Sequence, residues 1–430
     1  QREKFVSPFY EREKELGGHF DNEVARWERA LAYESNRDKL QKYLADIPVR
    51  ENEWDRRHVP YELANAEHLA MSDSVGMINL SHFPIMDIEG PDAEQMLEYL
   101  SIAKVGANTP IGKVIYTNFL DEDGGVHADL TISRLGDNKY RIVTGGADGN
   151  RDWVLLRNYR DDNGLDVDIK IRTHEIATLG LWGPKAEAAL GNFVDPNEIS
   201  LENFPFVTAK NLTLNLSGGK KIDVWAARIS YVGENGWEIY LNNNSEEGLA
   251  LYDSLLEVGV VPVGIETYAN SRRLEKSFRL QGADLETEYN ACEAAIQRPL
   301  VKEADFHGKA AYLKHREEEP CALLCTMTVD DLCVSGKARY PVGIAPIIDP
   351  DTGNVPLDSK GRRSYTTGMS YCPSIKEFVV MGYLPKEIAI EGKKLSIEYF
   401  NDDGDGLYPI TVKIVGKGSL YDPTNKKVRT

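Results

Sequence analysis

Two carboxylates stand in runs whose other residues favour β-strands. In VHADLTIS (126–133) apolar and polar residues alternate, so Asp129 falls on the polar face of a strand. In ISYVGENGWEIY (229–240), two β-favouring runs flank a turn, and Glu238 lies between Trp237 and Ile239 in the second run. Carboxylates are depleted in strands because they pack poorly on a half-buried face. Each acid therefore needs either solvent or a polar partner.

The chemistry open to these acids depends on their surroundings. A carboxylate in an apolar cavity can accept two parallel hydrogen bonds from an amino-substituted heterocycle, which suits Glu238 because its neighbours are strongly apolar. Asp129 shares its predicted face with His127, Thr131 and Ser133, which also fits a solvated surface. The residues alone leave both a binding role and a surface position open for each acid.

Composition narrows the class of protein. The chain has 430 residues, enough for two to four domains, with 42% hydrophobic and 27% charged residues, as in a globular protein. Its 50 Lys and Arg against 68 Asp and Glu give a formal net charge of −18. We therefore expect no nucleic-acid binding. No apolar run approaches the length of a membrane span, so no membrane association is expected either.

The cysteines and the first residues bear on location. Five cysteines, an odd number, do not form a disulfide framework, so we expect free thiols and a cytoplasmic protein. Cys321, Cys325 and Cys333 cluster loosely, but no second pair or neighbouring histidine completes a zinc site, so no metal is predicted. The chain begins without an apolar signal core and on Gln1, which leaves open a processed product or part of a longer protein.

Motifs for common cofactors are absent from the sequence. It contains no GxGxxG after a first strand, no GxxxxGK[ST], no HExxH and no GxSxG. We therefore expect any flavin or nicotinamide chemistry to occur on another chain or domain.

The elements that must position the two acids follow from the patterning. The N-terminal fifth, including 7–18 and 22–47, is charged and predicted to be helical, with a further helix over 60–72. Segments 86–100 and 179–193 both read as strand, Gly-Pro, then helix, which indicates two related α+β layers.

Asp129 and Glu238 fall in the segments that follow. A three-stranded antiparallel meander is predicted over 112–146 and a hairpin over 220–241. Helices are predicted over 152–160, 246–257 and 267–278. After EEEP at 317–320 the short β-runs favour a small β-barrel or jelly-roll-like domain.

Several segments together resemble the aminomethyltransferase family, typified by the glycine-cleavage T-protein. ISYVGENGWEIY is similar to that family's YTGEDGxE signature, LDEDGGVHADLTI to NExGGxxDDL, and RRLEKSFRLQGADL to its RLEaG…yGxD motif. LGLWGPKAEAAL resembles the QGP strand–helix unit and SYCPSIKEFVVMGYL a C-terminal SGxxSP motif. The likeness covers nearly the whole chain in the same order. LEKSF and SLYDPTNKKVR lean toward the branch fused to dimethylglycine and sarcosine dehydrogenases.

The resemblance implies an α+β fold of three domains in a cloverleaf around a central folate pocket. Two antiparallel α+β domains would comprise 1–82 with 174–282 and 83–173 with 283–316. Residues 317–430 would form the β-barrel or jelly-roll-like domain. Tetrahydrofolate is the cofactor that this fold implies.

The resemblance also assigns site residues by position. Glu238 would accept hydrogen bonds from the amino group and N3 of the pterin, while Tyr231 and Tyr116 would line the folate site. Asp129 would be the catalytic acid beside the folate nitrogens that take the one-carbon unit. Thr144 stands where some members have an asparagine close to the folate.

Three departures concern the donor side of the site. Ala269 stands in place of the family's arginine that meets the substrate arm, and Ala128 replaces the first of its paired acids. Lys426 replaces a C-terminal tyrosine. Aminomethyl-lipoyl protein is therefore not expected as the donor.

The sequence thus predicts a tetrahydrofolate-dependent one-carbon transferase that demethylates a small methylated compound and yields 5-methyl- or 5,10-methylene-tetrahydrofolate. The alternative is the folate unit that captures an iminium or formaldehyde in a dimethylglycine or sarcosine dehydrogenase-type enzyme, beside a flavoprotein or metalloprotein partner domain. A non-catalytic folate-binding assembly or sensor protein is a third hypothesis, against which Asp129 argues. The sequence specifies neither the donor, nor whether the carbon leaves O, N or S, nor the oligomeric state.

Overall fold

Three β-sheets with helices packed on them form the α+β fold that was expected. The computed structural model describes residues 3–20, 22–47, 61–106, 108–334, 337–338, 340–401 and 404–429. Strands and helices are numbered in chain order, and the sheets are called A, B and C.

Sheets A and B carry the two acids. Sheet A contains, in spatial order, β10 (Ala209–Asn215), β11 (Lys221–Ala227), β12 (Gly236–Asn242), β9 (Ile176–Trp182), β3 (Gly76–Asn79) and β13 (Val261–Pro262). Sheet B contains β5 (Val114–Leu120), β6 (Val126–Gly136), β7 (Lys139–Thr144), β4 (Ile85–Glu89) and β8 (Asp168–Ile171). Within these sheets β13 and β3 pair in parallel and the other neighbours pair antiparallel.

Sheet C is a curled antiparallel half-barrel near the C-terminus. It contains, in spatial order, β17 (Ile347–Ile348), β20 (Lys394–Asn401), β21 (Gly404–Val415), β14 (Ala322–Val329), β19 (Glu377–Pro385) and β18 (Thr366–Cys372). Two short pairs complete the strands: β1 (Asn22–Val24) with β2 (Trp27–Arg29), and β15 (Cys333–Val334) with β16 (Lys337–Ala338).

The helices connect and cover these sheets. They are α1 (Tyr10–Glu15), α2 (Asn36–Lys39), α3 (Gln41–Leu44), α4 (Tyr61–Asp73), α5 (Ala93–Leu100), α6 (Gly149–Asp162), α7 (Ala186–Leu190), α8 (Pro196–Ile199), α9 (Ser245–Glu257), α10 (Arg273–Glu275) and α11 (Lys309–Glu317). A 3₁₀ turn covers Ser217–Gly219, and a π-helical turn covers Thr267–Arg272 immediately before α10. Within the described ranges, no helix is long and apolar enough to cross a membrane.

Helix α5 shows why one face of sheet B is closed to ligands. Its buried residues Ala93, Met96, Leu97 and Leu100 recur at helical spacing and pack in one cluster with alternate residues of β6. Full burial of a Met or Leu side chain stabilises by about 1.5–3 kcal/mol. The Val126, Ala128, Leu130, Ile132 face of β6 is therefore core, and the Asp129 face points the other way.

Sheet A is closed on one face in the same manner. Trp237 and Ile239 of β12 lie in a cluster with Leu251 and Leu255 of α9. Because side chains alternate along a strand, Glu238 and Tyr240 must point to the opposite face.

The two remaining faces meet in one inter-sheet layer. Strand register puts Val114, Val143 and Ile85 on the Asp129 face of sheet B. The three residues pack in one cluster with Ala227 and Tyr240 of sheet A. Backbone hydrogen bonds from residue 114 to the carbonyl of 207 (3.0 Å) and from 209 to that of 112 (2.6 Å) join the sheets at one corner.

The N-terminal helical prediction is wrong for residues 22–29. These residues form the β1–β2 hairpin, whose turn residues Ala25 and Arg26 both have positive φ, 49° and 70°. A two-residue turn of this kind matches the twist of a hairpin, and burial of Trp27 outweighs helix propensity. Within the predicted helical segment 22–47, helix is present only in α2 and α3.

Most of the other predicted elements are confirmed with shifted ends. The meander over 112–146 is β5–β6–β7, both strand–Gly-Pro–helix segments are present, and the helix over 60–72 is α4, except that residue 60 lies outside the described residues. In the 220–241 hairpin, however, residues 228–235 form a loop rather than strand, and the 267–278 helix is a π-helical turn followed by one short α-turn. The three domain boundaries stay a prediction.

Candidate functional site

Asp129 is half-buried in sheet B and held by hydrogen bonds between strands. It pairs with Asn118 across β5 and β6, and the Asn118 side-chain amide donates to Asp129 Oδ1 at 2.7 Å. Tyr116, the diagonal neighbour on β5, also donates to it. Burial raises the pKa of Asp129 to about 6, against the lowering effect of these two hydrogen bonds. A carboxyl group with such a pKa can exchange a proton near neutral pH.

Glu238 has small neighbours on both sides. It pairs with Ala227 on β11 and with Gly180 on β9, so no bulky side chain stands beside it in the sheet. The side chain is 8% exposed, and burial raises its pKa to about 7, opposed by a hydrogen bond from the Tyr240 hydroxyl to Oε2. In the part of the chain that the structure describes, its carboxylate accepts no other hydrogen bond. Oε1 is therefore available to a ligand.

An aromatic wall stands beside Glu238, formed by Trp182, Tyr268, Tyr231 and Phe278. The ring of Trp182 lies over Gly180, where a Cβ atom would come within 2.0 Å of it. Ring centroids are 5.8 Å apart from Trp182 to Tyr268, 5.1 Å from Tyr268 to Tyr231 and 5.7 Å from Tyr231 to Phe278. Such a row of rings offers a flat ligand an apolar surface.

The aromatic wall lies within electrostatic reach of both acids. The charge of Glu238 helps to raise the pKa of Tyr268, after the larger effect of burial. Burial, and to a lesser degree the charge of Asp129, raises the pKa of Tyr231. Glu238 and Asp129 therefore act electrostatically on two neighbouring rings of the same row.

The wall is fixed by hydrogen bonds at its polar atoms. Trp182 Nε1 donates to the Ile229 carbonyl at 2.9 Å, and the Tyr231 hydroxyl donates to the Arg279 carbonyl at 2.6 Å. Tyr268 is carried by the π-helical turn, a rare geometry often found at functional sites.

A buried ionic network holds the loop that carries Tyr231. Arg272 is fully buried; it donates to Glu234 at 2.7 Å, to Ser72 Oγ at 2.6 Å and to the Val232 carbonyl at 2.8 Å. The Tyr421 hydroxyl donates to the same Glu234 oxygen at 3.0 Å. The loop, the π-helical turn and the C-terminal segment are thus tied together.

Arg279 supplies a half-buried positive charge near Asp129. Its guanidinium donates to the carbonyls of Ala294 (3.0 Å), Ser277 (2.7 Å) and Gly416 (2.8 Å). Its charge also contributes to lowering the pKa of Asp129. Sequence reasoning missed this residue, since a lone arginine in a loop has no pattern.

The structure brings four of the five predicted site residues together. Tyr231 belongs to the aromatic wall and Glu238 stands beside it, while Tyr116 and Asp129 are neighbours on the side of sheet B that faces sheet A. Thr144 lies apart from them: its strand partner is Leu130 on the core face of sheet B, and its hydroxyl donates to buried Asp152 of α6.

Of the three substituted family positions, Ala128 lies on the core face of β6, and Ala269 directly follows Tyr268 of the aromatic wall. Ala269 is in the π-helical turn, where its carbonyl accepts from Arg273 Nε at 2.8 Å, and its side chain brings no charge. Lys426 lies in the C-terminal segment, and its backbone N–H donates to Asp422 at 3.0 Å.

These features define what the site can do. The arrangement suits a flat heterocycle bearing adjacent N–H donors, because one carboxylate can accept two such donors and the rings offer an apolar face. A group near the other end would then meet Asp129, which can give or take a proton or stabilise a cation.

Comparisons with known proteins identify the family of the chain. Residues 9–303 match the GCVT N-terminal domain family. Dimethylglycine dehydrogenase of Rattus norvegicus, a mitochondrial protein, is 31% identical over 386 residues, which are 87% of this chain and 41% of that protein. An aminomethyltransferase of Symbiobacterium thermophilum is 29% identical over 347 residues, 79% of this chain and 86% of that protein.

A solved structure shows the same fold. The glycine cleavage system aminomethyltransferase T from Bartonella henselae aligns with a TM-score of 0.73 at 22% identity, covering 95% of this chain and 97% of that one. The chain spans 41% of the length of the rat dimethylglycine dehydrogenase, so it corresponds to a part of that protein. The family match over most of the sequence and these relatives show that the chain belongs to the GCVT aminomethyltransferase family.

Proposed function

We propose that the chain is a tetrahydrofolate-dependent one-carbon transferase whose pterin site lies between sheets A and B. Enzymes of the GCVT family use tetrahydrofolate. The observation that carries the proposal for this chain is that Glu238 and Asp129 lie on the facing sides of sheets A and B, with the aromatic wall beside Glu238. The free Glu238 Oε1 and the neighbouring Trp182 ring suit the amino end of a reduced pterin.

Each residue has a separate task in this proposal. Ionised Glu238 accepts hydrogen bonds from the pterin amino group and its neighbouring ring N–H, while Trp182 and Tyr268 contact the ring face. Tetrahydrofolate, when bound, supplies the nucleophilic nitrogen that takes the one-carbon unit. Asp129 holds or moves a proton at that nitrogen and stabilises positive charge beside it. Closure between two sheets excludes water.

The donor is proposed to be a small methylated compound rather than a lipoyl-bearing protein. Ala269 provides no cation for a protein-bound arm, and Asp129 favours a donor that carries or develops positive charge. Transfer of an intact methyl group gives 5-methyl-tetrahydrofolate, whereas 5,10-methylene-tetrahydrofolate forms only from a carbon already at the formaldehyde level, such as an iminium.

A second candidate function follows from the relatives. The chain covers 41% of rat dimethylglycine dehydrogenase, which favours a folate unit that captures an iminium or formaldehyde made by a flavoprotein or metalloprotein partner. Both functions use the same folate site and differ in where the one-carbon unit is released. A non-catalytic folate-binding role leaves the position of Asp129 unexplained.

Product analysis tests these functions directly. The protein is incubated with tetrahydrofolate and one carbon source at a time: formaldehyde, or a methylated amine, thiol or ether. The mass of the folate product is then measured by mass spectrometry. A methyl or methylene gain from a methylated compound supports the demethylase, and acceleration with formaldehyde alone supports the capture unit. No gain over protein-free controls, together with no tetrahydrofolate binding by calorimetry, would overturn the proposal.

A further inference from the structure

Tyr240 contacts the carboxylate of Glu238. It follows Glu238 by two positions on β12, so both side chains lie on the face toward the inter-sheet layer. Its hydroxyl donates to Glu238 Oε2, and its side chain is 3% exposed. The Tyr240 ring packs on Trp225, its strand partner on β11, with centroids 4.8 Å apart.

A groove of about 650 Å³ lies on the other side of Tyr240. Its lining includes Tyr240, Trp225, Arg141, Arg172 and Asp223, but not Glu238. Tyr240 therefore separates the Glu238 carboxylate from this open space.

The titratable groups around Glu238 are few. Neither strand partner brings a charge, since they are Ala227 and Gly180. The π-helical turn presents Tyr268, and sheet B presents Arg141, which lies near Tyr240 and is paired with Asp87 at 2.8 Å. Among the described residues, Tyr240 is the one that donates a hydrogen bond to the Glu238 carboxylate.

We propose that Tyr240 is a positioning residue that directs the Glu238 carboxylate toward the aromatic wall and keeps it in the ionised, acceptor-only form. The inference rests on the proposed function in taking reduced pterin as the ligand. A donated hydrogen bond stabilises the carboxylate over the carboxylic acid, which offsets part of its burial. With one lone pair of Oε2 engaged from behind, the remaining acceptor sites face the ligand.

Tyr240 remains a donor throughout the working range of pH. Burial, followed by the charge of Glu238, raises the pKa of its phenol well above the ordinary value. The phenol is therefore protonated wherever the carboxylate is ionised, so the hydrogen bond keeps one direction.

The first test is a ligand-free titration of Glu238. Thermal stability is measured against pH for wild type and for Glu238→Gln. As the pH rises, the difference in stability between the two proteins grows and then levels off at the folded-state pKa of Glu238. In a Tyr240→Phe background we expect this levelling point to rise by about one pH unit. An unchanged levelling point would overturn the inference, whatever the ligand.

The second test uses tetrahydrofolate binding measured by calorimetry from pH 5.5 to 9. As the pH is lowered, the affinity of Tyr240→Phe should begin to fall at a higher pH than that of wild type. At pH 9 the two affinities should agree within about threefold. A uniform loss at every pH would mean a merely structural role. Tyr252→Phe, a buried tyrosine of α9, should leave the profile unchanged. Absence of binding by wild type would instead overturn the proposed function.

A more conservative variant tests the inference if Tyr240→Phe folds poorly. Site-specific 3-fluorotyrosine at position 240 keeps the ring shape and donates more strongly because its phenol is more acidic. The levelling point of the Glu238 titration should then fall below that of wild type. A rise or no change would contradict the inference.

Discussion

Asp129 of sheet B and Glu238 of sheet A point into the same inter-sheet layer, although the two acids are 109 positions apart in the chain. Burial raises both pKa values, to about 6 and about 7. Their hydrogen bonds differ: Asp129 accepts from Asn118 and Tyr116, whereas Glu238 accepts from Tyr240 alone among the described residues. One acid is thus held between strands, and the other keeps an oxygen free for a ligand.

Glu238→Gln should weaken tetrahydrofolate binding by roughly 1–3 kcal/mol at pH 8, because an acceptor oxygen becomes a donor facing donors. Isothermal titration calorimetry measures the change. The matched control is Glu246→Gln on the exposed start of α9, which should bind like wild type. Equal affinities for Glu238→Gln and wild type would remove the anchor role.

The same substitution should stabilise the ligand-free protein. The pKa of Glu238 is about 7 in the folded state against an ordinary 4.5, so the folded state binds more protons between these values. Stability is therefore lost as the pH rises through this window and stays reduced above it. Glutamine does not titrate, so Glu238→Gln should exceed wild type by about 1–3 kcal/mol at pH 8.

Chemical denaturation at pH 8 and pH 4.5 checks that prediction, since the gain should largely vanish at the lower pH. A gain of equal size at both values would show that the charge of Glu238 is not its source.

Gly180→Ala should damage the aromatic wall. Its Cβ would lie 2.0 Å from the Trp182 ring, so the ring must move, at a cost of about 1–3 kcal/mol in stability. Tetrahydrofolate affinity should fall at least about tenfold, because Trp182 no longer contacts the pterin face. Gly136→Ala on β6 is the control, since its nearest neighbour would be 3.9 Å away. Denaturation and calorimetry on both variants decide whether the close approach matters.

Glu234→Gln should be strongly destabilising. Arg272 is fully buried between Glu234 (2.7 Å) and Glu275 (2.8 Å), and breaking one of these buried ion pairs costs up to about 3–5 kcal/mol. The exposed Lys220–Glu246 pair provides the comparison, because loss of a solvent-exposed pair should barely change stability. Urea unfolding measures both, and similar small effects would show that Glu275 compensates Arg272.

The sequence predicted the elements whose patterns are local. Alternation over 126–133 identified β6 and the face of Asp129, and apolar spacing identified α9. The hairpin at Ala25 and Arg26 was not predicted, because its turn places two non-glycine residues in the left-handed region within a segment of helix-like composition.

The site was predictable only where a residue was out of place. Glu238 and Asp129 were visible as acids in strands, whereas Trp182 and Tyr268 looked like ordinary core residues. Their meeting depends on the pairing of β9 with β12 and on the π-helical turn, which connect distant parts of the chain. Thr144 shows the reverse, since position alone did not reveal which face of β7 it occupies.

The strongest test of catalysis is Asp129→Asn, because it separates the transition state from binding. Asparagine keeps the size and can still accept from Asn118 but cannot move a proton or balance a cation. Tetrahydrofolate affinity should stay within about threefold while kcat falls by about 10²-fold or more, the pattern of an interaction made only in the transition state.

The wild-type rate should also fall on the acid side of about pH 6, where Asp129 becomes protonated, and the mutant should lose that limb. Single-turnover rates with saturating tetrahydrofolate and the active donor measure both effects. Asn118→Asp is the informative companion: a second acid at 2.7 Å should raise the pKa of Asp129 further and move the acid limb upward. A mutant Asp129→Asn that turns over at the wild-type rate would leave the acid with a purely structural place in the sheet.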